Sequence, residues 1–184
     1  GAAGDGRTGP AAVRAAAPAD APALAALAAR TFPRACPPGT DPAAVARHVV
    51  TELTAERFTA WAVADGAVLL LAERAGGPAG YALLLADERP PAPVPAPAVL
   101  LSKAYVDLEE EGTGTAGALV TAGLERAAAL LGPRPVWLGT NVANARARAF
   151  YRRRGFVEVG TRTYVVGGQA HDDVVMLLQT VPGA

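Results

Sequence analysis

The sequence predicts an α/β domain on a mixed, mostly antiparallel sheet of about seven strands flanked by about four helices. Three observations lead there. Apolar residues recur at helical spacing in the first third of the chain, then give way to short leucine- and valine-rich runs bounded by glycine and proline. The later half alternates extended and helical segments, the pattern that puts parallel neighbours into a sheet. Between two of those segments stands EEEGTGTAG, residues 109–117, a glycine-rich turn running into an alanine-rich helix.

Taken in order, GAAGDGRTGP (1–10) is small, polar and aperiodic and is expected to be a disordered leader, with one domain over 11–180. AAVRAAA reads as a first strand. PADAPALAALAARTF forms a helix, with Asp20 as its cap and Leu24, Leu27 and Ala28 at helical spacing. RACPPGT ends it, and DPAAVARHVVTELTAERF opens a second helix with Asp41 as N-cap and Pro42 at the first position. Val45, Val49 and Leu53 line one side of that helix, which runs to about Phe58. AVLLLAERA and GYALLLADE, separated by GGP, pair as strands, and proline-rich RPPAPVPAPA is a stiff surface loop before the strand AVLLSKAYVD. The helix TAGALVTAGLERAAALL carries Leu119, Leu124 and Leu130 at near-helical spacing. Strand PVWLGT, helix NARARAFYRRR with a stop at Gly155, and strands FVEVGTRTYVV and DDVVMLLQ around a GGQ turn complete the chain.

The chain has 184 residues, 51% of them hydrophobic, enough for one domain with a sizeable core. Lys plus Arg (17) equals Asp plus Glu (17), so no global field draws it to nucleic acid or an anionic membrane, and a charged ligand must be held locally. No apolar run approaches the roughly 20 residues of a bilayer span, and no secretory head precedes the fold, so a cytoplasmic location is expected. Cys36 is the single cysteine and forms no internal disulfide. With two distant histidines, His48 and His171, it supplies no recognisable ligand set, and no metal is expected. Each histidine reads as a core or surface side chain. Lys103 is the only lysine in a chain rich in alanine, arginine, glycine and proline.

The glycine turn after a strand fits phosphate binding and fits a merely tight connection equally well. A dinucleotide site wants this unit near the N-terminus with an acid at the end of the next strand, where Thr140 and Asn141 stand instead. A P-loop wants a Lys-Ser or Lys-Thr pair directly after the glycines, and that pair is not present.

Residues 144–156, NARARAFYRRRGF, followed by Gly160, resemble the last helix and strand of GCN5-related N-acetyltransferases, the GNAT superfamily. The superfamily's glycine turn, Q/R-x-x-G-x-G/A, lands on Glu111, Gly114 and Ala116. Within it, LLSKAYV (100–106), VWLG (136–139), the spacing of Asn144, Ala147, Phe150 and Tyr151, and the closing Asp173 and Met176 look like bacterial spermine and spermidine acetyltransferases of the PaiA type. The early RTFP segment fits that branch too.

The resemblance implies that the strand ending at Val106 splays from PVWLGT and that acetyl-CoA, the acetyl donor, lies in the gap. It implies that N–H groups around Gly112, Gly114, Ala116 and Gly117 hold the pyrophosphate, and that Val106 N–H meets the thioester carbonyl. Asn144 would contact the pantetheine arm and Tyr151 the departing sulfur, while a polyamine-like primary amine attacks directly; small members of the superfamily often pair as homodimers. Asn144 fits an N-cap as well, and Phe150 and Tyr151 fit core packing. Arg152, Arg153 and Arg154 fit either a helix C-terminus or the 3′-phosphate of coenzyme A. Asp107, Glu88, Tyr105 and Glu52 are candidate general bases that no spacing separates.

Glu111 departs from the superfamily pattern, where arginine or glutamine is usual. A carboxylate about 6 Å from a phosphate at an effective dielectric of about 40 would repel it by about 1.4 kcal/mol. A relative that kept the fold as a coenzyme A-binding or interaction module without turnover is the alternative.

Overall fold

The computed structural model describes residues 9–179. The expected leader lies outside them except for Gly9 and Pro10, and the carbonyl of Gly9 accepts from Arg74 Nη2 at 2.7 Å. Seven strands form one sheet in the order β1-β2-β3-β4-β5-β7-β6. They are β1 (Ala12–Ala15), β2 (Ala67–Arg74), β3 (Gly77–Asp87), β4 (Ala98–Val106), β5 (Val136–Asn141), β6 (Phe156–Val166) and β7 (Gln169–Leu178). Among the described residues only β4 and β5 pair in parallel. Among the described residues five α-helices accompany them: α1 (Ala21–Ala35), α2 (Pro42–Glu52), α3 (Ala55–Val63), α4 (Thr115–Leu131) and α5 (Ala145–Arg152). None among the described residues is long and apolar enough to cross a membrane.

The fifth helix corrects the sequence reading. The expected second helix, running to about Phe58, breaks at Leu53 (φ −117°, ψ 44°), which turns into the core at 2% exposure. Thr54 then starts α3, its hydroxyl accepting from Arg57 N–H at 3.2 Å. Asp41 caps α2 as read, accepting from Ala43 N–H at 3.0 Å. Asp20 stands at the start of α1 but does not cap it. Its carboxylate turns back to Ala17 N–H at 2.7 Å and to both Nη atoms of Arg14 at 2.9 Å.

Strands that read as unbroken apolar runs are covered on both faces. On one face α4 and α5 pack over Leu70, Leu84, Leu101 and Met176; on the other, α1 and α3 cover Leu69, Leu71, Tyr81 and Leu83. Each buried leucine contributes about 2 kcal/mol of apolar burial. Gly123 sets the approach of α4, because a Cβ there would stand 2.7 Å from Leu84 Cδ1. Leu130, expected on the buried stripe with Leu119 and Leu124, faces solvent, and Ala127 and Val120 take the contact. The proline-rich loop inserts Val94 against Ala98, Trp137 and Val175.

Two irregularities open the sheet at its centre. Strands β4 and β5 pair only at Val99 with Val136 and Leu100 with Trp137, then separate. In the β3–β4 ladder Leu84 faces Leu101 and Leu83 faces Lys103, so Ser102 is an extra residue, a β-bulge. The bulge resets the alternation of β4. Beyond it Ala104 and Val106 pack toward α4, while Tyr105 joins the core under α1 and α3.

Candidate active site

The cleft between β4 and β5 exposes a strand edge. Asp107 N–H donates to Ala79 O at 2.8 Å, across to β3. Successive amides of a strand alternate in direction, so Val106 N–H points to the edge that β5 has left. Gly80 faces Val106 in register, and a Cβ at Gly80 would lie 2.8 Å from Val106 Cγ1 and 3.0 Å from Tyr105 O.

After β4 the chain passes through Glu109, Glu110 and Glu111 into the turn before α4. Gly112 (φ +80°) and Gly114 (φ +88°) adopt the left-handed conformation that glycine takes without strain. The first helical bond of α4 is Ala118 N–H to Gly114 O at 3.0 Å. The N–H groups of Gly112, Gly114, Ala116 and Gly117 therefore have no partner among the described residues.

The three glutamates have separate fates. Glu109 is exposed. Glu110, 4% exposed, turns behind the loop, where its carboxylate takes Arg74 in a two-point ion pair and the hydroxyls of Thr113 and Thr115 at 3.0 Å each. Arg74 beside it, with the two hydroxyls, holds the Glu110 carboxyl below the usual carboxylate range. Thr115 Oγ1 also accepts from Ala11 N–H at 3.0 Å, tying the loop to the start of β1. Glu111 faces outward between two cations, Arg34 of α1 at 3.1 Å and Arg146 of α5 at 3.2 Å.

Helix α5 brings three groups to the same region. Asn144 is its N-cap, with Oδ1 accepting from Ala147 N–H at 3.0 Å, which leaves the amide NH2 free for another partner. Tyr151 packs edge-on between Phe150 (5.0 Å) and Phe156 (5.6 Å), and its hydroxyl makes no hydrogen bond among the described residues. Burial pushes its phenol up to about 12, against a smaller opposing effect of Arg154. Arg154 folds over the ring of Phe150, 3.6 Å from its centroid, and donates to Phe150 O at 3.1 Å. Its guanidinium lies on the first turn of α4, so that a Cβ at Gly117 would stand 2.3 Å from Nη2. Arg152 pairs instead with Glu158 at 2.5 Å, and Arg153 is exposed.

The candidate bases are mostly engaged. Arg30 grips both oxygens of Asp107, at 2.8 and 3.0 Å, and Arg134 holds Glu88 at 2.8 Å. Glu52 pairs with Arg57 at 3.5 Å, and Tyr105 lies 5.9 Å from Tyr81. His48 stacks on Phe32 at 4.6 Å, and burial first, then Lys103, hold it below its ordinary value. His171 lies on β7 with a buried Nε2 that has no hydrogen bond among the described residues. No group of three or more His, Cys, Asp or Glu is placed to hold a metal among the described residues.

Two groups gain a setting that the sequence left open: Arg154, read with Arg152 and Arg153 as a helix C-terminus or a 3′-phosphate contact, and Lys103, given no role. Arg154 had no mark separating it from its neighbours. Lys103 did, as the chain's only lysine.

A mixed sheet split at one parallel pair, beside a glycine turn that starts a helix, is the architecture of an acyl-transfer fold, and its amides and guanidinium suit a diphosphate-bearing donor. The chain belongs to the acetyltransferase (GNAT) family, whose sequence model matches residues 27–156, and it is an N-acetyltransferase. An uncharacterized N-acetyltransferase of Mycobacterium tuberculosis is 40% identical over 163 residues, covering 88% of this chain and 99% of that protein; one from Mycobacterium bovis matches equally. Among solved structures, PaiA N-acetyltransferase from Thermoplasma acidophilum in complex with coenzyme A superposes with a TM-score of 0.74 at 16% identity, covering 92% of this chain and 98% of that one. Ribosomal-protein-alanine N-acetyltransferase from Brucella melitensis gives 0.66 at 26% identity, over 90% and 98%. At 16% identity the PaiA likeness shows the fold alone.

Proposed function

We propose that this protein acetylates a primary amine of a small, polyamine-like molecule, with acetyl-CoA as donor and direct attack of the amine on the thioester. The observation that carries this reading is the start of α4, where four N–H groups without a partner among the described residues stand beside the guanidinium of Arg154. Gly112, Gly114, Ala116 and Gly117 donate to the pyrophosphate at the positive end of the helix, and Arg154 supplies the cation that Glu111 does not. Arg34 and Arg146 offset Glu111. Acetyl-CoA supplies the activated acetyl group.

The open edge of β4 pairs with the amides of the pantetheine arm as an added strand would. Asn144 offers its NH2 to the same arm. Val106 N–H donates to the thioester carbonyl oxygen and strengthens as that oxygen gains charge. Tyr151, with a pKa near 12, stays protonated at working pH and donates to the departing sulfur.

The PaiA-type branch and its polyamine-like acceptor rest on the resemblance carried by the segment LLSKAYV. The reading extends to a single N-acetyltransferase domain over 11–180, a cytoplasmic location, a homodimer, no metal, and no nucleic-acid or membrane partner. Calorimetric titration with acetyl-CoA, followed by mass-spectrometric screening of spermidine and other amines for one added acetyl group, tests it. Tyr151→Phe should lower kcat about 10–100-fold with coenzyme A affinity unchanged; an absence of heat with acetyl-CoA overturns the assignment.

A further inference from the structure

We propose that Lys103 is the base that takes the proton released by the acceptor amine as its nitrogen bonds to the acyl carbon, a role that rests on the transferase reading above. The β-bulge at Ser102 places it. Without the extra residue Lys103 would point toward α4; with it, the side chain turns to the opposite face, where Nζ stands 5.7 Å from the ring centroid of Trp61 on α3. This is also the level at which β5 has already left β4, three residues past Leu100 and three before Val106. Those last three residues span about 10 Å, so Nζ takes the proton over bridging water.

The ammonium is half-buried and has neither a hydrogen bond nor an ion pair among the described residues. The groups facing it are Trp61 and Arg57 from α3, Glu52 and His48 from α2, and Tyr105 from its own strand. Burial lowers Lys103 to about 8; Arg57 acts in the same direction and Glu52 opposes. The positive charge of a bound amine substrate would lower it further.

The residue type is informative in this chain. Sixteen of the 17 basic residues are arginine, 17 less Lys103. Arginine supplies charge everywhere else, but it does not deprotonate, and lysine does. The carboxylates that would otherwise serve are held: Asp107 by Arg30, Glu88 by Arg134, Glu52 by Arg57.

The step balances. The amine lone pair forms the C–N bond, the C–S bond breaks with its electron pair leaving on sulfur, and Tyr151 donates a hydrogen bond to that sulfur, which takes its proton from solvent. The amine N–H, made acidic by C–N bond formation, passes its proton to Nζ over bridging water. Lys103 returns it to solvent.

Because the chain has one lysine, protein labelled with [13Cε]lysine gives one side-chain resonance. Its titration should centre near 8; a midpoint at the ordinary 10.5 overturns the proposal. With acetyl-CoA and the best acceptor among spermidine, tyramine and an alanyl peptide, kcat/KM should rise with pH to a plateau at the midpoint seen by NMR. Lys103→Met and Lys103→Arg should each lose roughly 100-fold or more in kcat with acetyl-CoA affinity unchanged by calorimetry. Lys103→His should recover part of the rate with its limb moved to lower pH. Full activity in Lys103→Met, or stoichiometric acetylation of Lys103 itself, overturns the base role while leaving the transferase intact. A wild type that binds acetyl-CoA but acetylates none of the three amines overturns the transferase reading, and the base role falls with it.

Discussion

Gly117 and Arg154 occupy one space: a methyl group at position 117 would come within 2.3 Å of Arg154 Nη2. The absent side chain at the start of α4 is what lets a guanidinium from just past the end of α5 lie across the free amides of α4. A cation there is unfavourable to the helix macrodipole and has no carboxylate partner among the described residues, so its natural complement is an anion.

Gly117→Ala should displace the guanidinium, because the far end of a flexible side chain yields before the backbone does. Coenzyme A affinity should fall about tenfold, near 1.4 kcal/mol, with the melting temperature unchanged or higher, since alanine is the better helix residue. Arg154→Met should cause a similar loss. Calorimetry on the double variant should show clear non-additivity, as expected when both changes remove one contact.

Glu111 should matter little. Its carboxylate is exposed and shared between Arg34 and Arg146, so Glu111→Gln should change coenzyme A affinity by less than about threefold. Arg34→Ala, which leaves the acid with one exposed partner, should weaken binding more than Glu111→Gln does. Titrations at low salt make the comparison sharpest.

Glu110 should govern acid stability. Its pKa is lower folded than unfolded, so its contribution is complete above the unfolded carboxylate value and is lost as pH falls through the folded one. Glu110→Gln should cost about 2 kcal/mol at neutral pH by leaving Arg74 with a weaker partner. Thermal melts down a pH series should show the two proteins converging below the usual carboxylate range.

Gly80→Ala should disturb the strand edge from behind. The new Cβ meets Val106 Cγ1 at 2.8 Å, Leu119 Cδ1 at 3.1 Å and, least able to yield, the backbone oxygen of Tyr105 at 3.0 Å. A loss of about 1–3 kcal/mol is expected, about 2–4 °C of melting temperature per kcal/mol. A drop in kcat should accompany it, as Val106 N–H shifts with β4.

Much of this protein could be read from its order of residues. Leucine runs, the Asp41–Pro42 start of α2 and the glycine turn act through neighbours a few positions away, where backbone preference and periodicity decide the outcome. The break at Leu53 was hidden because Val45, Val49 and Leu53 keep one helical stripe across it, and only the core's demand for Leu53 shows why the chain turns there.

Charge placement needed the folded chain. Glu111 reaches Arg34 across 77 positions and Arg30 reaches Asp107 across the same separation, so no local pattern told a repelling acid from a neutralised one. Arg154 and Lys103 likewise owe their settings to distant residues, Gly117 of α4 and Trp61 of α3. Amino-acid order determined the elements and the amides they leave free, since these depend on short stretches of backbone. Tertiary structure decided which charges remain unpaired, since Coulomb interaction and desolvation follow distance in space and not along the chain.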